Sequence, residues 1–212
     1  MTYETIHKDV TFIDFHTHNR AAQSDTIAVV DGRDTWGIHP WRADETFAVP
    51  DLSGRIAIGE CGLDGLRGPS MERQEEVFLQ HVRLSEQAGL PLVLHCVKAL
   101  DRLLCLRREL RPAMPWMLHG FRGKPQQLQS LLAAGFYVSL GFHHNEESLL
   151  LCPAGRLMLE TDDDGRPVGD IYKTVAEKRG IKVALLCAQM AENYRAFFRK
   201  EPFTTPITGD VC

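Results

Sequence analysis

Short apolar runs alternate along the chain with longer amphipathic stretches, the pattern of a sheet wrapped in helices. The runs predict eight strands: "TFIDFH" (11–16), "TIAVVD" (26–31), "TWGIH" (35–39), "RIAIGE" (55–60), "LPLVLH" (90–95), "PWMLHG" (115–120), "FYVSLG" (136–141) and "LMLETD" (157–162). Helical periodicity is expected over 71–88, 99–110, 124–134 and 168–179, and in a closing segment over 184–199. Gly89, Gly135 and Gly180 stand where helix C-caps belong, and Pro91 opens the strand that follows.

Strands and helices in this order predict an α/β fold of the TIM type, a (β/α)8 barrel, an architecture that usually takes about 250 residues. The chain has 212. The shortfall is local: only Gly32, Arg33 and Asp34 separate "TIAVVD" from "TWGIH", whereas a parallel crossover needs about a dozen residues. These two strands are expected to form a hairpin, leaving the barrel trimmed and distorted near strands 2 and 3. Without a linker, repeat or low-complexity stretch, residues 1–212 are read as a single domain.

A second pattern emerges at the strand ends. His16 and His18 close the first, Glu60 the fourth, His95 the fifth, His119 the sixth and Asp162 the eighth. In a parallel barrel the C-terminal strand ends open on one face, so the six side chains converge there. Residues i and i+2 of a strand point the same way, which aims both His16 and His18 inward. Taken singly, Glu60 is also a plausible strand-end cap, His95 and His119 plausible bonded core histidines, and Asp162 a plausible N-cap. Four imidazoles and two carboxylates without a thiolate suit divalent Zn, Mn, Ni or Mg. Six donors exceed what one tetrahedral zinc takes from protein, and two metal ions sharing a carboxylate account for the number.

Composition narrows the setting. A net charge of −4 gives no global attraction toward nucleic acid, so polyanion binding requires a local patch. The six cysteines are scattered without a CxxC pair, which argues for a reducing compartment rather than a disulfide framework. The longest apolar runs, such as Val183–Ala188, fall far short of the roughly 20 residues that cross a bilayer. The first ten residues lack the apolar core of a secretory signal. No membrane association is expected, and the expected location is cytoplasmic.

"FIDFHTH", "GIHPW", "IAIGECGLD", Arg73-Gln74, "PLVLHC", "HGF" and "LMLETD" resemble, in order and spacing, the TatD-family metal-dependent deoxyribonucleases of the amidohydrolase-like barrels. The resemblance runs over about residues 11 to 165, and "AENYRAFF" is similar to the family's C-terminal helix. It implies one ion held by His16, His18, Glu60 and Asp162, and a second by Glu60, His95 and His119, with Glu60 as the bridge. The chain departs from the family pattern at Val97-Lys98, where an arginine is usual two residues past the histidine. It departs again at Asp163-Asp164, where proline usually follows, at Trp41, which replaces the last histidine of "GIHPH", and at Gly65.

The expected chemistry is hydrolysis of DNA phosphodiesters, at single-stranded ends, by hydroxide available near neutral pH between two divalent ions. Asp162 is expected to orient the water and accept its proton, beside Glu60. Substrate contacts are expected from Arg122, Lys124 and Lys98, with Arg20 and Arg67 nearby in sequence, and from His39 lining the pocket. His143 and His144 are adjacent and so cannot both face it. Trp41, Phe121 and Phe142 are placed to stack on a base or to pack, Trp36 to pack, and His7 and His81 look incidental. Two other readings stay open: hydrolysis of another ester or amide bond, and a metal-stabilised subunit that binds protein partners not identifiable from the sequence.

Overall fold

In the computed structural model, which describes residues 11–21 and 23–202, the eight apolar runs become eight strands. They are β1 Phe12–Thr17, β2 Thr26–Val30, β3 Thr35–Trp36, β4 Ala57–Asp64, β5 Leu92–Val97, β6 Trp116–Leu118, β7 Tyr137–Leu140 and β8 Leu157–Leu159. Residues around His7, and Cys212, lie outside the described residues. The helices are α1 Met71–Ala88, α2 Leu100–Leu110, α3 Pro125–Ala133, α4 Glu146–Leu151, α5 Val168–Arg179 and α6 Val183–Phe198. Gly89 and Gly180 close α1 and α5 in the left-handed conformation, as expected of C-cap glycines. Among the described residues no helix is long and apolar enough to cross a membrane.

Every strand pairing is parallel. β3 to β8 form one six-stranded ladder and β1–β2 a second. Helices cover the outer faces, so the strands read as near-continuous apolar runs; Ile58, Leu92, Leu94, Trp116 and Leu157 are fully buried. The ladders meet beside the strand ends at a parallel bridge between Thr17 and Asp162, where His18 N–H donates to Asp162 O (3.1 Å) and Asp162 N–H to His16 O (3.0 Å). The outcome is the (β/α)8 barrel, trimmed where the sequence is short.

The expected hairpin does not form. β2 lies parallel to β1 and β3 parallel to β4, with no ladder between β2 and β3. The intervening turn folds onto Val30, whose carbonyl accepts from Arg33 and Asp34 N–H. Acidic side chains bond across the gap instead: Asp34 Oδ2 accepts from Val30 N–H (2.8 Å), and Asp31 Oδ1 accepts from the Thr35 hydroxyl (2.8 Å) and Glu60 N–H (3.1 Å). Carboxylates therefore staple the seam that backbone bonds leave open. β3 also stops at Trp36, so His39 caps a short 3-10 turn, Pro40–Arg42, instead of ending a strand.

Two helices fix β1 from outside. On α6, Tyr194 and Phe198 pack against Phe15 at ring-centroid distances of 6.1 and 6.2 Å. From α5 the buried Tyr172 hydroxyl accepts from Ile13 N–H (3.1 Å) and donates to Ile13 O (2.9 Å), supplying the hydrogen bonds of a strand that has a ladder on one side only. Tyr172→Phe leaves both Ile13 groups unpaired in the core and is expected to cost about 1–3 kcal/mol in chemical denaturation; an unchanged midpoint would show that β1 does not depend on this hydroxyl.

Candidate metal centre

Two local irregularities bring the polar residues to the barrel mouth. Register shifts interrupt β1 between Asp14 and Thr17 and β4 between Ile58 and Cys61. Such bulges re-aim side chains, and these two bracket His16 and Glu60. Past Glu60 the chain runs so close to β5 that a Cβ on Gly62, which has φ +141°, would lie 2.0 Å from His95 O. Only glycine fits there.

Glu60, buried, stands at the centre with its two oxygens facing opposite ways. Oε2 lies 3.5 Å from His16 Nε2 and 3.4 Å from His18 Nε2, and Asp162 Oδ1 completes this half at 3.8 and 3.5 Å from the same nitrogens. Oε1 lies 2.9 Å from His95 Nδ1, 2.8 Å from His119 Nε2 and 3.1 Å from His39 Nε2. Three overlapping sets of donors able to hold a cation result: His16, His18 and Asp162; His16, Glu60 and His119; His39, Glu60 and His95. The first half is open, with the His18 and Asp162 side chains 37% and 27% exposed, whereas the His119 half is sealed.

The donor chemistry fits divalent ions. Both ring nitrogens of the buried His16 lack a hydrogen-bond partner among the described residues, which is costly for a polar ring unless something binds there. Burial disfavours charge on Glu60, but the His119 charge and hydrogen bond, with the His16 and His18 rings close by, override it and hold the carboxyl well below its usual range. Burial likewise opposes charge on His119, yet Glu60 and Glu160 push its pKa well up. The hydrogen bond to Glu60 lifts His18 to about 9. Desolvation, led by burial, raises Asp162. Without an ion, protons supply the positive charge that Glu60 demands.

Three acidic residues not singled out from the sequence surround the imidazoles. Asp64 Oδ2 lies 3.1 Å from His95 Nε2, Glu160 Oε1 lies 3.6 Å from His119 Nδ1, and Asp31 Oδ2 lies 3.9 Å from His18 Nδ1. Strand alternation was the available signal, since Glu160 precedes Asp162 by two residues and Asp64 follows Glu60 by four. Carboxylates holding the outer nitrogens of ligand histidines are a recurrent feature of metal sites.

Residues 11–199 match the profile of the family described as "TatD related DNase". The chain belongs to this family. It is 34% identical over 199 residues to the 3'-5' ssDNA/RNA exonuclease TatD of Escherichia coli strain K12, covering 77% of this chain and 76% of that protein. Against the Erwinia billingiae protein of the same name the identity is 32% over 200 residues, covering 78% and 77%. Among solved structures, a TatD-family hydrolase from Entamoeba histolytica superposes with a TM-score of 0.75 at 15% identity, over 90% of this chain and 99% of that one. A TatD homologue from Escherichia coli K12 gives 0.68 at 21%, over 84% and 78%. These likenesses place the fold among TatD-type barrels.

Beside this cluster a cleft of about 1030 Å³ runs between α2 and α3, lined by His95, His119, Asp162, Lys98, Arg122 and Gln127 among others. Lys98 and Arg122 are exposed along it; Lys124 caps α3 and does not line it. Arg67 lies over the Trp41 ring, 4.9 Å from its centroid, and Phe142 stacks under Arg166 at 3.6 Å. Phe121 is buried, and Trp36 packs against Phe47 and His81. His81 is structural rather than incidental: its buried Nε2 accepts from Ile38 N–H at 2.9 Å while Nδ1 bonds Val77 O at 2.7 Å, anchoring the segment that carries His39.

An ion entering this cluster displaces imidazole protons, so divalent-cation affinity is expected to rise with pH from about 6 to about 9 with net proton release. Calorimetry in buffers of different ionisation enthalpy measures that release; affinity independent of pH would contradict protonation of the imidazoles around Glu60.

Proposed function

We propose that the chain is a metal-dependent nuclease that hydrolyses phosphodiester bonds of single-stranded nucleic acid ends, DNA foremost. The observation that carries this reading is the division of Glu60, one oxygen toward His16, His18 and Asp162, the other toward His95 and His119. Those residues would hold two divalent ions, drawn from Zn, Mn, Mg or Ni, with Glu60 between them. When bound, the ions supply a nucleophile at neutral pH and neutralise charge developing on the phosphate.

The remaining work falls to this chain. Asp162, half open to solvent and raised in pKa by burial, is placed to take the proton of the attacking water and to pass it outward. Its backbone φ of +56° lies in a region asparagine and aspartate tolerate better than most residues, and its N–H and C=O are both tied to β1. The carboxylate is thus fixed beside His16 and His18. Lys98, also left-handed with φ +52°, and Arg122 present cations along the α2–α3 cleft, where a phosphodiester backbone would pass. His39 lies beside His95 on the Glu60 Oε1 side, with Nε2 3.1 Å from that oxygen. Names of relatives that act on ssDNA and RNA support the substrate class. The free thiols among the described residues accord with a cytoplasmic location.

End-labelled single-stranded DNA is the test. Nucleotide release is expected to require added divalent metal and to vanish in His95→Ala; no release with Mg, Mn or Zn, together with cleavage of an ester or aminoacyl substrate, would overturn the reading. Asp162→Asn is expected to lower kcat by about 10²- to 10⁴-fold while the protein still retains metal by elemental analysis. Full activity in that variant would remove Asp162 from the proton transfer.

A further inference from the structure

Three imidazoles meet Glu60 Oε1, but they differ in what holds the far side of each ring. His39 Nδ1 accepts a hydrogen bond from Trp41 N–H (3.2 Å), so its proton sits on the nitrogen facing Glu60. His95 is the opposite case. Its far nitrogen, Nε2, meets Asp64 Oδ2, an acceptor, and so carries the proton, which leaves the Nδ1 lone pair aimed at Glu60. A neutral His95 is therefore primed to bind a cation through Nδ1, and a neutral His39 is not.

Asp64 is held in that task from every side. Its Oδ1 accepts from Leu66 N–H (2.8 Å) and Arg67 N–H (3.1 Å), while Oδ2 accepts from the Trp41 indole Nε1–H at 2.6 Å as well as from His95. The buried Gln74 on α1 fixes the backbone beneath: Oε1 accepts from Asp64 N–H (2.7 Å), and Nε2 donates to Asp64 O (3.0 Å), Arg67 O (3.0 Å) and Pro69 O (2.9 Å). The 64–69 loop approaches Trp41 so closely that a Cβ on Gly68 would meet Pro40 O at 2.8 Å and Trp41 Cα at 3.0 Å. The Asp64 carboxylate and the Trp41 backbone are thus held next to each other.

We propose that Trp41 and Asp64 are positioning residues that fix His95 as an Nδ1 ligand for a divalent ion on the Glu60 Oε1 side of the site. The assignment rests on reading the cluster as a metal centre and adds to it two residues that touch neither ion nor substrate. Trp41 stands where the resemblance to TatD proteins leads one to expect histidine. An indole N–H only ever donates, whereas an imidazole donates or accepts according to its tautomer. The replacement gives Asp64 a permanent donor, leaving its oxygens saturated and His95 with one tautomer that fits.

Cobalt(II) titration followed by visible absorption, with ¹⁵N-detected tautomer analysis of His95, tests this on the full-length protein. Trp41→Phe, at a residue 45% exposed, is expected to weaken one of two cobalt affinities by about 10-fold and Asp64→Asn by about 10- to 100-fold. Both are expected to change the cobalt spectrum and to leave the affinity of the His16, His18 and Asp162 half unchanged. Trp41→His is expected to restore part of the loss. Wild-type cobalt affinities and spectra in both variants, or a proton on His95 Nδ1 in the loaded wild-type protein, would overturn the proposal. Should Asp64→Asn fail to fold, Trp41→Phe alone decides. Failure of the wild type to bind cobalt would instead overturn the metal-centre reading beneath it.

Discussion

A buried carboxylate facing five imidazoles is the constraint around which the barrel mouth is arranged. Glu60 has lost its water, and an unpaired charge in such a place costs several kcal/mol. Positive charge on both oxygens is what makes its burial tolerable, whether from protons or from metal ions. That requirement explains why the β4 bulge, the glycine at 62 and the Asp31 carboxylate that accepts Glu60 N–H all bear on its backbone. Each holds the Glu60 backbone where its two oxygens face in opposite directions.

Trimming the barrel on the β1–β3 side has consequences for that arrangement. With no helix between β2 and β3, side-chain carboxylates close the wall, and one of them, Asp31, also reaches toward His18. The half of the site against this thin wall is open, whereas the His119 half lies beneath the α2–α3 side of the mouth and is sealed. Solvent therefore reaches the cluster on the side of His18 and Asp162. Cationic side chains line the α2–α3 cleft, which His95, His119 and Asp162 also border.

Much of this was legible in the sequence. Eight apolar runs gave eight strands, and residues at their ends converged, because alternation along a strand and the common direction of parallel strands are strong geometric rules. What escaped had local causes. "RIAIGE" is expected to end at Glu60, but the strand continues to Asp64, which carries its carboxylate behind His95. α4 is only six residues long, too short to show periodicity. The hairpin expectation followed from loop length alone and failed because Asp31 and Asp34, polar residues in an apparent turn, replace the ladder with side-chain bonds.

The outer acids also clarify which departures from the TatD pattern matter. All six converging donors are present, so substitutions at positions 41, 65, 97, 98, 163 and 164 act around the cluster rather than in it. Position 98 is exposed with its backbone in the left-handed region, and a lysine there lines the cleft with one compact charge, while Val97 stands where the resemblance leads one to expect arginine. Position 41 works inward, through Asp64, on the orientation of His95. Of these departures, the lysine alters the charge that lines the cleft, whereas the tryptophan alters what holds the acid behind His95.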